Sequence, residues 1–129
     1  MTEAMLNASV LAAAVAACLA TAADAPVCQA RLEVQRSGDN VTITGHCLNN
    51  GAPAAARWTY ELRAEKQGRG GSSRNAQAGN FVAAPGQDVV LSRTTLNLGA
   101  HDACRLRLRV LDEQGAILAA DSLLLPAAP

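Results

Sequence analysis

The stretch Arg57-Trp58-Thr59-Tyr60-Glu61-Leu62-Arg63-Ala64-Glu65 decides the fold class. Trp58, Tyr60, Leu62 and Ala64 fall on one face, and Arg57, Thr59, Glu61, Arg63 and Glu65 on the other. A period of two with large apolar side chains on one side is the pattern of a half-buried β-strand. The stretch holds the only Trp and the only Tyr of the chain, so it supplies the largest inward side chains. Gln67-Gly68-Arg69-Gly70-Gly71-Ser72-Ser73-Arg74-Asn75 follows. Its three glycines and lack of large apolar side chains predict a flexible polar loop. The next strand is expected from about Ala76 to Phe81. A polar loop between two strands is a suitable platform for recognition.

The same alternation recurs outward from this point. Before it, Cys28, Ala30, Leu32 and Val34 alternate with Gln29, Arg31, Glu33 and Gln35. Ser37-Gly38-Asp39-Asn40 marks a tight turn, and Val41, Ile43, Gly45 and Cys47 face inward on the returning strand. After it, Ala84-Pro85-Gly86-Gln87 is a second strong turn. Val89 to Leu98 is a strand whose parity shifts between Leu91 and Leu96, which predicts a bulge. Cys104, Leu106, Leu108 and Val110 then point inward, with Arg105, Arg107 and Arg109 outward. Ile117 to Leu125 is the last strand. About seven strands at this spacing, with no helical period, predict an all-β, immunoglobulin-like β-sandwich in which the third strand neighbours the sixth.

The 129 residues suffice for one domain with a modest core of Ala, Leu and Val. Eleven basic residues balance eleven acidic ones, so net charge does not point to nucleic acid. Residues 1–22 read as an export signal and 23–129 as the sandwich domain. Ala4 to Ala23 carry no charge, and Ala20-Thr21-Ala22 offers small residues to a signal peptidase, although the leading segment has Glu3 and no Lys or Arg. Val15-Ala16-Ala17-Cys18 also resembles a lipobox, and lipidation of Cys18 would tether the chain to a membrane.

Export makes a disulfide relevant. An antiparallel hairpin of the first two strands puts Cys28 and Cys47 at one end of the sandwich, a diagonal step apart. Cys104 starts a strand whose beginning lies far from there. The expected bridge is Cys28–Cys47, with Cys104 a buried thiol. His46, His101 and Cys104 lack metal-ligand spacing, so no metal site is expected. No nucleophile motif, phosphate loop, paired carboxylates or C-x-x-C occurs, so neither an enzyme nor a cofactor is expected.

A surface pattern remains. Arg105, Arg107 and Arg109 form a row on the outer face of the sixth strand. Arg57 and Arg63 lie outward on the neighbouring third strand, and Arg69 and Arg74 lie in the expected loop. The bland reading is a solvated face with weak Arg–Glu pairs, diluted by Glu61 and Glu65. The sharper reading is a cationic surface for an acidic, unfolded or extended partner.

Tyr60-Glu61-Leu62, Gly70-Gly71-Ser72-Ser73-Arg74-Asn75-Ala76-Gln77-Ala78-Gly79-Asn80-Phe81, Pro85-Gly86 and Leu91-Ser92 resemble the curli-chaperone family of the CsgH and CsgC type. The resemblance runs from about Cys28 to Asp121. It implies a periplasmic, immunoglobulin-like sandwich that keeps an amyloid-forming curli subunit from polymerising prematurely, by transient contact and without nucleotide. Charge on the sheet surface is expected to matter. The Cys-x-Cys pair of the CsgC branch is absent here, which places the chain nearer CsgH and puts a thiol-redox role in doubt. Ser72, Ser73 and Gln77 of the matching run join the seven arginines as candidate partner-binding residues. The expected partner is an unfolded or extended curli-type subunit, met by a monomer through its charged face or through a strand edge. The rival class is a lipid-anchored or secreted structural or adhesion module.

Overall fold

Seven antiparallel strands form, close to their expected positions except for the fourth, which starts earlier. The structure is a computed structural model, and it describes residues 27–127. The export segment, Cys18 and the lipobox-like run lie outside the described residues. The strands are β1 (Cys28–Ser37), β2 (Asn40–Asn49), β3 (Ala56–Gly68), β4 (Gly71–Ala83), β5 (Asp88–Asn97), β6 (Ala103–Leu111) and β7 (Ile117–Leu125). They make two sheets, one in the order β1-β2-β5 and the other in the order β4-β3-β6-β7. This is the immunoglobulin-like sandwich expected, with the third strand beside the sixth.

The inward residues of the two sheets build the core. One cluster gathers Leu32, Val41, Ile43, Leu62, Ala64, Leu98, Cys104, Leu106 and Leu108. A second gathers Cys28, Cys47, Trp58, Ala83 and Val110. Trp58 meets Phe81 edge-on, with ring centroids 6.1 Å apart and planes at 72°. That is the orientation favoured by aromatic quadrupoles. Each fully buried Leu, Ile or Val removes enough apolar surface to contribute about 1.5–3 kcal/mol. This aliphatic core is therefore the main term opposing chain entropy.

The expected bulge is present. Gly45 faces Ser92 while His46 faces Val90, so Leu91 is the extra residue on β5. It lets Val89 before the bulge, Leu91 within it and Leu96 after it all turn inward despite their mixed parity.

The expected long loop is absent, and this corrects the sequence reading. β3 and β4 pair without interruption from Ala56↔Ala83 to Gly68↔Gly71, leaving a two-residue turn at Arg69-Gly70. Gly71 closes the turn with φ of 115°, a conformation that a residue with Cβ rarely adopts. Ser72, Ser73, Arg74 and Asn75 are thus strand residues. Their backbone groups find ladder partners on Lys66, Gln67, Glu65 and Ala64, and that pairing overrides their turn-like composition. The tip of this ribbon projects beyond the core, and Gly71 to Ala76 are exposed on both faces.

Single side chains close the two open sides of the sandwich. On one side the Leu32 N–H donates to Asp121 Oδ2 at 2.8 Å, tying edge strand β1 to edge strand β7. On the other, Gln77 of β4 donates to Thr94 Oγ1 at 2.7 Å and accepts from Ser92 Oγ, both on β5. A carboxylate on a free edge N–H also blocks unwanted strand pairing there.

Candidate functional site: a cationic sheet face

The outer face of the four-stranded sheet is set by register. Arg74, Glu65, Arg105 and Leu124 share one row. Ala76, Arg63, Arg107 and Ser122 share the next, and Ala78, Glu61, Arg109 and Ala120 the one after. Arg57 lies further along β3 on the same face, opposite Val82. Six arginines against two glutamates leave a formal charge of +4 on this face. The outer face of the other sheet carries Arg31 and Arg93 against Glu33 and Asp88, and balances.

The two faces also differ in how their charges are engaged. On the balanced face, Arg31 meets Glu33 at 3.0 Å and Asp88 at 3.5 Å. His46 lies 3.2 Å from Glu33 and 3.5 Å from Asp88. On the cationic face, among the described residues, only Arg109 is ion-paired, through a 2.5 Å contact from its Nη2 to Glu61 Oε2. Arg57, Arg63, Arg74, Arg105 and Arg107 are exposed and have no carboxylate in contact among the described residues. Their guanidinium forks remain available to an anion or carboxylate.

The expected site residues separate into three groups. Arg57, Arg63, Arg74, Arg105, Arg107 and Arg109 come together on the face, with Ser72 on the same side one step beyond Arg74. Arg69 stands at the hairpin tip, and Ser73 points to the opposite side of the exposed ribbon. Gln77 is turned inward and engaged with β5, so its amide belongs to the sandwich.

The charge pattern did not disclose one member of the face. Leu124 is 62% exposed, beside Arg105. It lines a shallow groove with Arg105, Arg107 and Ser122. The signal for it lies in Leu123-Leu124-Leu125. With Leu123 and Leu125 packed against the core, strand parity sends Leu124 outward. The face therefore offers cationic forks next to an apolar side chain.

Cys28, Cys47 and Cys104 are all buried thiols in this structure. The Cys47 S–H donates to the Cys28 sulfur, which lowers the Cys28 thiol and, with burial, pushes Cys47 up. Burial pushes Cys104 up as well. No cluster of three or more metal-ligating side chains occurs among the described residues.

Fold and face together define an immunoglobulin-like β-sandwich that presents one cationic sheet. The chain belongs to the CsgH family: the family model described as CsgH protein matches residues 27–118. Among solved structures, it is similar to the E. coli curli protein CsgC, with a TM-score of 0.62 and 18% identity over 74% of this chain and 96% of that one. It is also similar to R. palustris CsgH, with a TM-score of 0.55 and 27% identity over 77% of this chain and 91% of that one. A Bacteroides uniformis β-glucuronidase shares the fold over 77% of this chain but only 14% of its own length, with a TM-score of 0.52 and 13% identity. No curated protein sequence matches the chain.

Proposed function

We propose that this protein is a periplasmic chaperone that delays amyloid polymerisation of curli-type subunits by transient, partly electrostatic contact. The carrying observation is the outer face of the β4-β3-β6-β7 sheet, with its +4 charge and five unpaired arginines. An extended client chain brings carboxylates and side-chain amides to those guanidinium groups, and Leu124 adds apolar contact. Such a surface speeds encounter more than it prolongs residence, which suits an agent that acts briefly on many chains. Membership of the CsgH family, and likeness to a structure described as a curli protein, support the choice of client. The export reading of residues 1–22 supports the compartment.

The test is thioflavin-T fibril growth of a curli subunit with the mature protein present at a small fraction of the subunit concentration. A lengthened lag is expected. An unchanged lag, even at equal concentrations, would sink the chaperone reading.

A further inference from the structure

The pair of buried thiols at the start of β1 and near the end of β2 has a geometry that the cationic face does not use. Cys28 faces Asn49 and Cys47 faces Ala30 across the β1–β2 ladder, so the two cysteines are diagonal neighbours on the inner side of one sheet. Both belong to the core cluster of Trp58, Ala83 and Val110. Cys104 belongs to the other cluster, opposite Lys66 and Leu125 at the far end of the sandwich. Among the three described cysteines, only the Cys28–Cys47 pairing is therefore open without moving a strand.

The two thiols are not equivalent. A groove of about 410 Å³ beside β1 is lined by Cys28 but not by Cys47. Its other walls include Arg31, His46, Asp88 and Leu118. A reagent that reaches this end of the core meets Cys28 first. The hydrogen bond from Cys47 favours the thiolate of Cys28, the form that attacks.

We propose that Cys28 and Cys47 are an oxidisable dithiol that closes into an intrachain disulfide by exchange with an external disulfide entering along this groove. The Cys28 thiolate attacks one sulfur of that disulfide. The external S–S bond breaks, a mixed disulfide forms at Cys28, and the departing sulfur takes up a proton. Cys47 then loses its proton and attacks Sγ of Cys28, forming the internal S–S bond and releasing the second external thiol. Two protein thiols are oxidised and one external disulfide is reduced to two thiols. The product staples β1 to β2 and removes freedom from the unfolded chain. This role is structural and differs from a Cys-x-Cys redox motif, which the chain lacks.

The probe is glutathione disulfide, applied to the full-length folded protein. The reaction is quenched with acid, free thiols are alkylated under denaturing conditions, and peptides are mapped without reduction. The expected result is a linked Cys28–Cys47 peptide pair with Cys104 alkylated, and a thermal midpoint that falls by on the order of ten degrees on reduction. In Cys47→Ala the glutathione adduct is expected on Cys28, whereas Cys28→Ala should leave Cys47 unmodified. Wild-type protein with Cys28 and Cys47 both alkylated, or with either linked to Cys104, overturns the proposal. An adduct on Cys47 in Cys28→Ala overturns the assigned order of attack.

Discussion

Arg63 on β3 and Arg107 on β6 are direct cross-strand partners, so two guanidinium groups oppose each other near the middle of the four-stranded sheet. Like charges placed opposite one another destabilise a sheet by a few tenths of a kcal/mol, up to about 1. Arg107→Ser should therefore leave stability unchanged or raise it by roughly 0.2–1 kcal/mol, read from the urea midpoint. The same variant should shorten the lag that the protein imposes on fibril growth. Arg109→Ala is the control for the opposite sign. It breaks the contact with Glu61, about a third exposed, and should lose up to about 1 kcal/mol. A loss of both stability and inhibition in Arg107→Ser would count against an arginine pair held for binding.

Salt should separate the charged face from strand-edge pairing. The screening length falls from about 8 Å at physiological ionic strength to about 3 Å in molar salt. Inhibition through five exposed, unpaired arginines should weaken steeply over that range. Inhibition by capping with an edge strand rests on backbone hydrogen bonds and should change little. The sheet supplies such an edge at β4, whose first half is exposed on both faces. Lag times at several salt concentrations, each set against the subunit alone, distinguish the two.

Much of this architecture was legible because strand parity is a local property. Cys28-Ala30-Leu32, Val41-Ile43 and Leu106-Leu108-Val110 turn inward as their alternation requires, and the parity break near Leu91 marks the bulge. The β4 strand was hidden because Gly71-Ser72-Ser73-Arg74-Asn75 has the composition of a loop. What makes it a strand is pairing with residues 64–68, a partner that no local window contains. The arginine row was legible on β6 alone. That Arg63 opposes Arg107, and that Glu61 rather than Glu65 carries the ion pair, depends on register between distant segments. The engagement of Gln77 likewise depends on distant segments, since its partners Ser92 and Thr94 lie on the other sheet.

Asn49 joins the Cys28 end of the sandwich to the loops around it. Its side chain is fully buried, donates from Nδ2 to the Ala83 carbonyl at 2.9 Å and accepts at Oδ1 from the Ala52 N–H at 3.2 Å. Its backbone donates to the Gln87 carbonyl and accepts from the Gly86 N–H. Asn49→Ala strands two backbone groups near the core and should lose about 1–3 kcal/mol, with the denaturant slope unchanged. Asn49→Asp should lose more, because a carboxylate oxygen would then face the Ala83 carbonyl. A near-neutral result for both would mean that water replaces the amide there.

Gly68 is fixed by contact rather than by conformation. A Cβ at this position would lie 1.7 Å from Oδ1 of Asp102. The carboxylate cannot yield freely, since its Oδ2 accepts the Gly99 N–H at 3.0 Å. Gly68→Ala should therefore destabilise the protein by displacing Asp102 from the turn before β6. In Gly68→Ala/Asp102→Ala the two losses should be clearly less than additive, because the clash is removed along with the cap. Additive losses in a double-mutant cycle would show that Gly68 is needed for some other reason.

Alkaline pH should reveal Cys104. Burial raises its folded-state pKa above the ordinary value of 9.0, while the unfolded chain titrates near that value. Below the ordinary value both states hold the proton and the favourable contribution is complete. Above it the unfolded chain has released the proton and the folded chain still holds it, so stability falls as pH rises. The fall continues until the folded thiol itself titrates, with a slope of up to about 1.4 kcal/mol per pH unit for one proton. Cys104→Ala removes this slope and leaves a small cavity, so it should be less stable than wild type at neutral pH and approach it at alkaline pH. Both proteins keep Cys28 and Cys47, whose opposed shifts cancel in the comparison when measured in reductant. Urea midpoints from pH about 7 to about 10.5 provide the test, with the window set by the ordinary thiol range. Parallel curves would mean that Cys104 titrates alike folded and unfolded, and that its burial does not hold the proton.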